Sequence, residues 1–173
     1  IEAGYRAGVR EACPSCRVVA QYAGSTPTAF KDPARGAALA MSQIGQGADV
    51  LFHASGSTGL GVIRVARERS VWAIGVDADQ HDDGIDPGSP GRSAVLTSMV
   101  KRVDVAVFET IRAVDAGEFT GGLRVFGLAE GGVDYVHEGP HGEALSDATK
   151  RRVAELRARI ARGEVAPARE LPR

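Results

Sequence analysis

Apolar positions along this chain alternate between a helical and a two-residue period. Residues 2–12 have helical spacing, and Arg17-Val18-Val19-Ala20-Gln21-Tyr22 reads as a strand. Ala23 to Lys31 reads as a loop. Asp32-Pro33 then gives the N-cap and first residue of a helix reaching about Gln46, with Leu39, Ala40 and Ile44 among its inward candidates and Gly47 as its stop. A strand over Asp49–Ala54 follows, then a helix from Thr58 to about Arg69 with Leu60, Ile63 and Ala66 at helical spacing, then a strand over Val71–Asp77. Near-continuous apolar runs such as Val50-Leu51-Phe52 and Trp72–Val76 suit central parallel strands covered on both faces.

Residues 80–92 form a polar loop of Asp, Gly, Pro and Ser, and Ala94–Ser98 reads as a short strand. A helix over 99–116 lines up Val103, Val107, Ile111 and Val114 on one face. Paired glycines lead into strands at Leu123–Leu128 and Val133–Val136. Ser146-Asp147 opens a last helix with Val153, Leu156 and Ile160 inward and Gly163 as its stop, and the Pro-containing tail to residue 173 is expected to be extended. The βαβαβ order predicts an α/β fold: an open, mostly parallel sheet with helices on both faces and right-handed crossovers.

A length of 173 residues, 43% hydrophobic and 25% charged, suits about one domain with a real core. With 21 Lys+Arg against 22 Asp+Glu the net charge is −1, so no overall basic field recruits nucleic acid or an anionic membrane. The basic run Lys150-Arg151-Arg152, extended by Arg157, Arg159 and Arg162, is interrupted by Glu155 and reads as a solvated helix face. No apolar run approaches the roughly 18–20 residues of a spanning helix, and no leader-like pattern opens the chain. It enters a helix at once and reads as a piece of something longer. Cys13 and Cys16 are the only cysteines. Their C-x-x-C lies after helical residues, where the dipole has the wrong sign for a redox thiolate, and the four histidines lack zinc-site spacing. A helix-ending turn with free thiols or a small structural disulfide remains, and a disulfide fits an exported protein.

The candidate chemistry is polar. Ser55-Gly56-Ser57-Thr58-Gly59-Leu60-Gly61 follows a strand and opens a helix, but it matches neither G-x-G-x-x-G nor a lysine-bearing phosphate loop. It is either a plain tight turn or a turn whose N–H groups meet sugar hydroxyls or a carboxylate. Neither Ser57 nor Thr58 has the surroundings of a nucleophile. Asp77 and Asp79 lie two apart at a strand end and share a side if the strand continues. They suit acid–base work, a metal, vicinal hydroxyls or a turn cap, and the strand end of an open α/β sheet favours ligand contact. Lys101, expected in the first turn of a helix, works against the macrodipole there; it is either solvated or paired, with Asp77 a plausible partner.

Several stretches resemble the basic membrane protein family of purine-nucleoside-receptor lipoproteins, substrate-binding components of ABC importers. They are Glu2–Gly8, Gln21–Ser25, Phe30–Pro33, Gly47–Val50, Gly56–Val62, Ile74–Gln80, Val95–Asp104, Phe119–Gly122 and Gly127–Val133, collinear over nearly the whole chain. The resemblance implies one lobe of a type I periplasmic binding protein, in which two α/β lobes joined by a three-strand hinge hold ligand in their cleft. Residues 1–140 would be the second, ligand-binding lobe and 141–173 a C-terminal helix and tail, with the N-terminal lobe, export signal and lipidated cysteine outside this sequence. It also implies a purine nucleoside as ligand, an ABC permease as partner, an extracytoplasmic location (lipoprotein or periplasmic), and no catalytic residue, cofactor or metal. By position, Phe30 resembles the aromatic that stacks on the purine, after a four-residue insertion at Thr26–Ala29. Asp77 and Lys101 match the ribose-binding pair, and Gly56 with its neighbour Ser57 the sugar-facing turn. Asp79 is retained as a secondary ligand candidate. A ligand-sensing regulator on the same fold and a nucleotide-using α/β enzyme are the alternatives.

Overall fold

The computed structural model describes residues 1–168, 170 and 171. Its elements are α1 (Glu2–Ala12), α2 (Pro33–Gly45), β1 (Val50–Phe52), α3 (Thr58–Glu68), β2 (Trp72–Asp77), β3 (Ile85–Asp86), β4 (Ser89–Ser93), β5 (Val95–Lys101), α4 (Val103–Asp115), β6 (Val133–Tyr135) and α5 (Asp147–Ala161). The main sheet has the order β1-β2-β5-β6; β1, β2 and β5 run parallel and β6 closes the far side antiparallel. The expected open, mostly parallel sheet is therefore present.

The core forms where apolar rows on strand and helix meet. Leu51, Ala73 and Val95 face one another across three strands and are all buried, beneath Val62, Ile63 and Ala66 of α3 and Ala37 and Ala40 of α2. The two helices approach closely because Gly61 has no side chain: a Cβ there would lie 1.9 Å from the Pro33 carbonyl oxygen. Successive strand residues point to opposite faces, so Phe52 emerges opposite Leu51 and stacks on Tyr5 of α1, ring centroids 4.8 Å apart. Helices thus cover both faces, although the second cover is incomplete and Trp72 is exposed.

Several expected elements differ. Residues 17–22 form no strand. They lie along α2, with the Gln43 amide donating to the Val19 carbonyl at 3.3 Å and the Gln21 amide to Ser42 Oγ at 3.1 Å. Alternating apolar residues make a strand only beside a partner, and these have none among the described residues. The stretch 123–128 likewise forms no strand, and Leu123 and Val125 stand exposed. β5 continues through Met99, Val100 and Lys101, which were expected to be helical, because β6 pairs with those three residues. Residues 85–93 of the polar loop close into the β3–β4 hairpin. The face of α4 expected to be inward is open, with Val103, Val107, Ile111 and Val114 all exposed. In α5, Val153, Leu156 and Ile160 are half-buried, and Arg157 joins Asp134 of β6 at 2.7 Å. Cys13 and Cys16 are joined in a disulfide where α1 ends. The expected extended tail falls partly on residues 169, 172 and 173, which lie outside the described residues.

Candidate functional site

Because β1, β2 and β5 are parallel neighbours, their C-terminal ends meet at one edge of the sheet, the position where open α/β sheets hold ligands. β1 delivers the turn 53–57, β2 ends on Asp77 and β5 ends on Lys101. Lys101 Nζ lies 2.6 Å from Asp77 Oδ1, and the side chains are 52% and 51% exposed, so the pair is formed yet open to solvent. Lys101 reaches this place from a strand end and not from a helix, so the macrodipole is no part of its role. The expected pairing with Asp77 is nevertheless present.

Asp77 adopts φ 76°, in the left-handed region that a non-glycine residue enters at a cost of about 1–3 kcal/mol. Gln80 holds the turn that follows. Its Oε1 accepts from the Val76 N–H at 2.8 Å, and its own N–H donates to buried Ser98 Oγ of β5 at 3.0 Å. The strand therefore ends at Asp77, and the alternation that would have put Asp79 beside it ends too. Asp79 Oδ2 instead lies 2.6 Å from His141 Nδ1, and its Oδ1 accepts from the His81 N–H at 3.0 Å. Burial pushes the Asp79 carboxyl up, but these hydrogen bonds outweigh it and hold the group below the usual aspartate value. The rings of His81 and His141 stack in parallel, centroids 3.9 Å apart. Sequence reasoning did not bring these two histidines together, because they are sixty residues apart and only the fold of the 137–142 segment joins them.

The glycine-rich turn is partly a packing device. Ser57 Oγ donates to the Phe30 carbonyl at 3.0 Å. Thr58 Oγ1 donates to the Ala29 carbonyl at 2.7 Å and accepts from the Asp32 N–H at 2.8 Å. These bonds fix the Pro27–Phe30 turn against the start of α3 and place Phe30 beside Gly56, whose φ is 54°. Phe30 is 54% exposed. Gly59 is required for a different reason: a Cβ there would lie 2.1 Å from the buried His53 ring. Burial holds the His53 imidazole below its ordinary value, and both its nitrogens lack a hydrogen-bond partner among the described residues. The structure thus gathers Gly56, Ser57 and Phe30 into one cluster and pairs Asp77 with Lys101 at the same sheet edge, while Asp79 turns to the histidines. A polar hollow of about 320 Å³ beside the Pro27–Phe30 turn is lined by Ala23, Gly24, Thr26, Thr28, Ala29, Lys31 and Asp32, and by none of the candidate residues.

The open, mostly parallel sheet flanked by helices is a fold that solved ABC transporter solute-binding proteins share. One from Aeropyrum pernix K1 superposes with a TM-score of 0.68 at 26% identity, over 93% of this chain and 51% of that one. One from Conexibacter woesei superposes with a TM-score of 0.69 at 22% identity, over 96% and 50%, which shows the fold alone. Residues 1–167 match the family model for PnrA-like ABC transporter substrate-binding proteins, Bmp, and the chain belongs to this family. Among its relatives are the CD4+ T-cell-stimulating antigen of Listeria monocytogenes, 36% identical over 95% of this chain and 47% of that protein, and the ABC transporter nucleoside-binding protein BmpA of Lactococcus lactis, 35% identical over 77% and 40%. The chain spans about half the length of the curated relatives it matches, 47% for the first of them. Among the described residues no helix is long and apolar enough to cross a membrane.

Proposed function

We propose that this chain is the second lobe of an extracytoplasmic nucleoside-binding protein that delivers purine nucleosides to an ABC permease. The observation that carries the reading is the delivery of Gly56–Ser57, Asp77 and Lys101 to one sheet edge by three adjacent parallel strands, with Phe30 tied beside the first of them. The phenyl face stacks on the base. The Asp77 carboxylate accepts hydrogen bonds from the two ribose hydroxyls, and Lys101 holds the carboxylate in place while donating to a sugar oxygen. Residues 1–140 are the ligand-binding lobe and 141–173 the C-terminal helix and tail.

A binding role without turnover is part of this reading. It is supported by Thr58 being engaged by backbone partners and by Ser57 donating to a carbonyl, with no base hydrogen-bonded to either hydroxyl among the described residues. The related Lactococcus protein is named a nucleoside-binding protein, which supports the ligand class. A first lobe of the same protein accounts for the open face of α4, where Val103, Val107, Phe108, Ile111 and Val114 are 52–64% exposed. Membrane anchoring through a lipidated N-terminal cysteine, or a free periplasmic state, places the protein outside the cytoplasm.

The test is calorimetry of the full-length protein with adenosine, guanosine, inosine and cytidine, followed by chromatography of the mixtures. Purine nucleosides bind and are recovered intact. Tighter binding of cytidine overturns the ligand class, and free base with ribose overturns the non-catalytic role.

A further inference from the structure

We propose that His81, Asp82 and His141 form a binding site for a first-row transition-metal ion of the zinc class, separate from the nucleoside site. The three residues present one ligand atom each within 4.8 Å of one another. Two imidazoles and one carboxylate are a donor set of intermediate softness, which suits zinc and its neighbours. Magnesium and calcium call for more oxygen ligands.

The orientation of His141 is already that of a metal ligand. Its Nδ1 bonds to Asp79 at 2.6 Å, and a proton held on Nδ1 leaves the Nε2 lone pair free. Metal-bound histidines are held in this way by an outer carboxylate, which fixes the ring and its tautomer. Nε2 faces Asp82 Oδ1 at 4.0 Å, too far for a hydrogen bond. Two ligands of one tetrahedral zinc, each at about 2.0–2.1 Å, sit roughly 3.4 Å apart. The gap therefore closes by a shift of about half an ångström, and the Asp82 side chain, 83% exposed, is free to make it. On the other side of the cluster, His81 Nδ1 is buried without a hydrogen-bond partner among the described residues, an expensive condition for a polar atom. The two rings lie face to face, so their in-plane lone pairs do not converge as they stand. The His81 ring, whose Nδ1 has no hydrogen-bond partner to lose among the described residues, must turn out of the stack to meet the ion held by His141 and Asp82.

The site ties two distant segments together. His81 and Asp82 lie in the turn after β2, and His141 lies in the Pro140–Gly142 turn before α5. Three protein ligands leave a fourth position for water, the pattern of an exchangeable zinc site. Because the ligands do not include Asp77, Lys101 or Phe30, metal binding and nucleoside binding are separately measurable.

The experiment uses the purified full-length protein, free of any histidine tag and stripped with chelator. Zinc is titrated in competition with a coloured indicator, and cobalt(II) substitution is followed by its visible absorption. One zinc per chain is expected, with cobalt bands of four-coordinate intensity. His141→Ala and the exposed-ligand variant Asp82→Asn each weaken zinc by at least ~10-fold, and Asp79→Asn, which acts through His141, by roughly 10-fold. His137→Ala, outside the cluster, leaves affinity unchanged. Circular dichroism confirms that each variant remains folded. Undiminished affinity in His141→Ala or Asp82→Asn, equal loss in His137→Ala, or no stoichiometric binding by the unmodified protein overturns the proposal. Nucleoside affinity that stays intact in His141→Ala and Asp82→Asn keeps the proposed transport function standing whichever way zinc falls.

Discussion

Ile63, Val65 and Ala66 of α3 are sealed from solvent, while Val103, Val107, Phe108, Ile111 and Val114 of α4 are more than half exposed. Both helices carry apolar residues at three- and four-residue spacing. The difference lies in what each meets. α3 crosses α2 at a glycine contact and lies on the row Leu51–Ala73–Val95, so its apolar stripe is buried by partners within the chain. α4 leaves the end of β5 and meets no comparable surface among the described residues; none of its residues is buried. An amphipathic pattern states that a helix has a face to cover, and the fold decides what covers it.

The largest consequence concerns ligand affinity. If α4 and the segment after it face a first lobe, the isolated 173-residue chain still folds, since its α2–α3 layer and sheet form a core of their own. On the proposed function it holds only one side of the purine, however. Losing one stacking face removes about 1–3 kcal/mol, and lost polar contacts and water exclusion add to that. Affinity is expected to fall about a thousandfold from the full-length protein, from micromolar toward millimolar, in a calorimetric titration of both. Submicromolar binding by the isolated chain would show that one lobe suffices.

Stability should separate the same two regions. Gly61→Ala drives a methyl into the Pro33 carbonyl and the α2 backbone, neither of which is a flexible side-chain end, and should cost roughly 3 kcal/mol. Phe108→Ala, on the open face, should stay within about 0.5 kcal/mol in the isolated chain. In the full-length protein it should cost about 2 kcal/mol or more, as a covered aromatic does. Urea unfolding of the two variants in both forms makes the comparison. Equal losses for Phe108→Ala in both forms would remove the case for a cover on α4.

The proposed binding edge belongs to the packed region and can be probed there. Asp77→Ala should weaken nucleoside binding by about 1.5–3 kcal/mol for each charge-assisted bond lost, and more than Asp79→Ala, whose carboxylate is engaged by His141 and the His81 N–H. Calorimetry on the two variants decides it. Equal effects would mean that the turn after β2 has been assigned the wrong role.

How far the sequence disclosed this molecule follows the same division. The α2–β1–α3–β2 run was legible because its apolar spacing, its Asp32-Pro33 start and its glycine stops all served one buried core. Residues 17–22 and 123–128 had strand composition but no neighbour to pair with, and composition does not contain a neighbour. β5 outran its expected end because β6, some thirty-five residues later in the chain, extends the ladder to Lys101. At the candidate site, Asp77 was readable from strand-end logic; Lys101 was expected at the start of a helix, and only its pairing with Asp77 was among the alternatives named. The left-handed turn at Asp77, fixed by Gln80 and Ser98, was not readable, and it is what sends Asp79 toward His141.

The smallest expected effect lies at the seam between the packed sheet and α5. Burial alone would raise the Asp134 carboxyl, but the Tyr135 N–H and the Arg157 guanidinium hold it below the usual aspartate value. A carboxyl depressed on folding contributes stability that is fully present above its unfolded pKa, near 4, and is lost as pH falls through the lower folded value. Its pair with Arg157 is partly exposed, which limits the contribution to about 1 kcal/mol. Thermal unfolding from pH 7 down to about 2.5 should therefore show the unmodified chain losing its advantage over Asp134→Asn below pH 4, since the amide does not titrate. Amide exchange should report the loss first in α5, which this ion pair fastens to β6, and later in α3. An advantage that persists unchanged at pH 2.5, or exchange that rises first in α3, would show that α5 is held by its half-buried Val153, Leu156 and Ile160 and not by the ion pair.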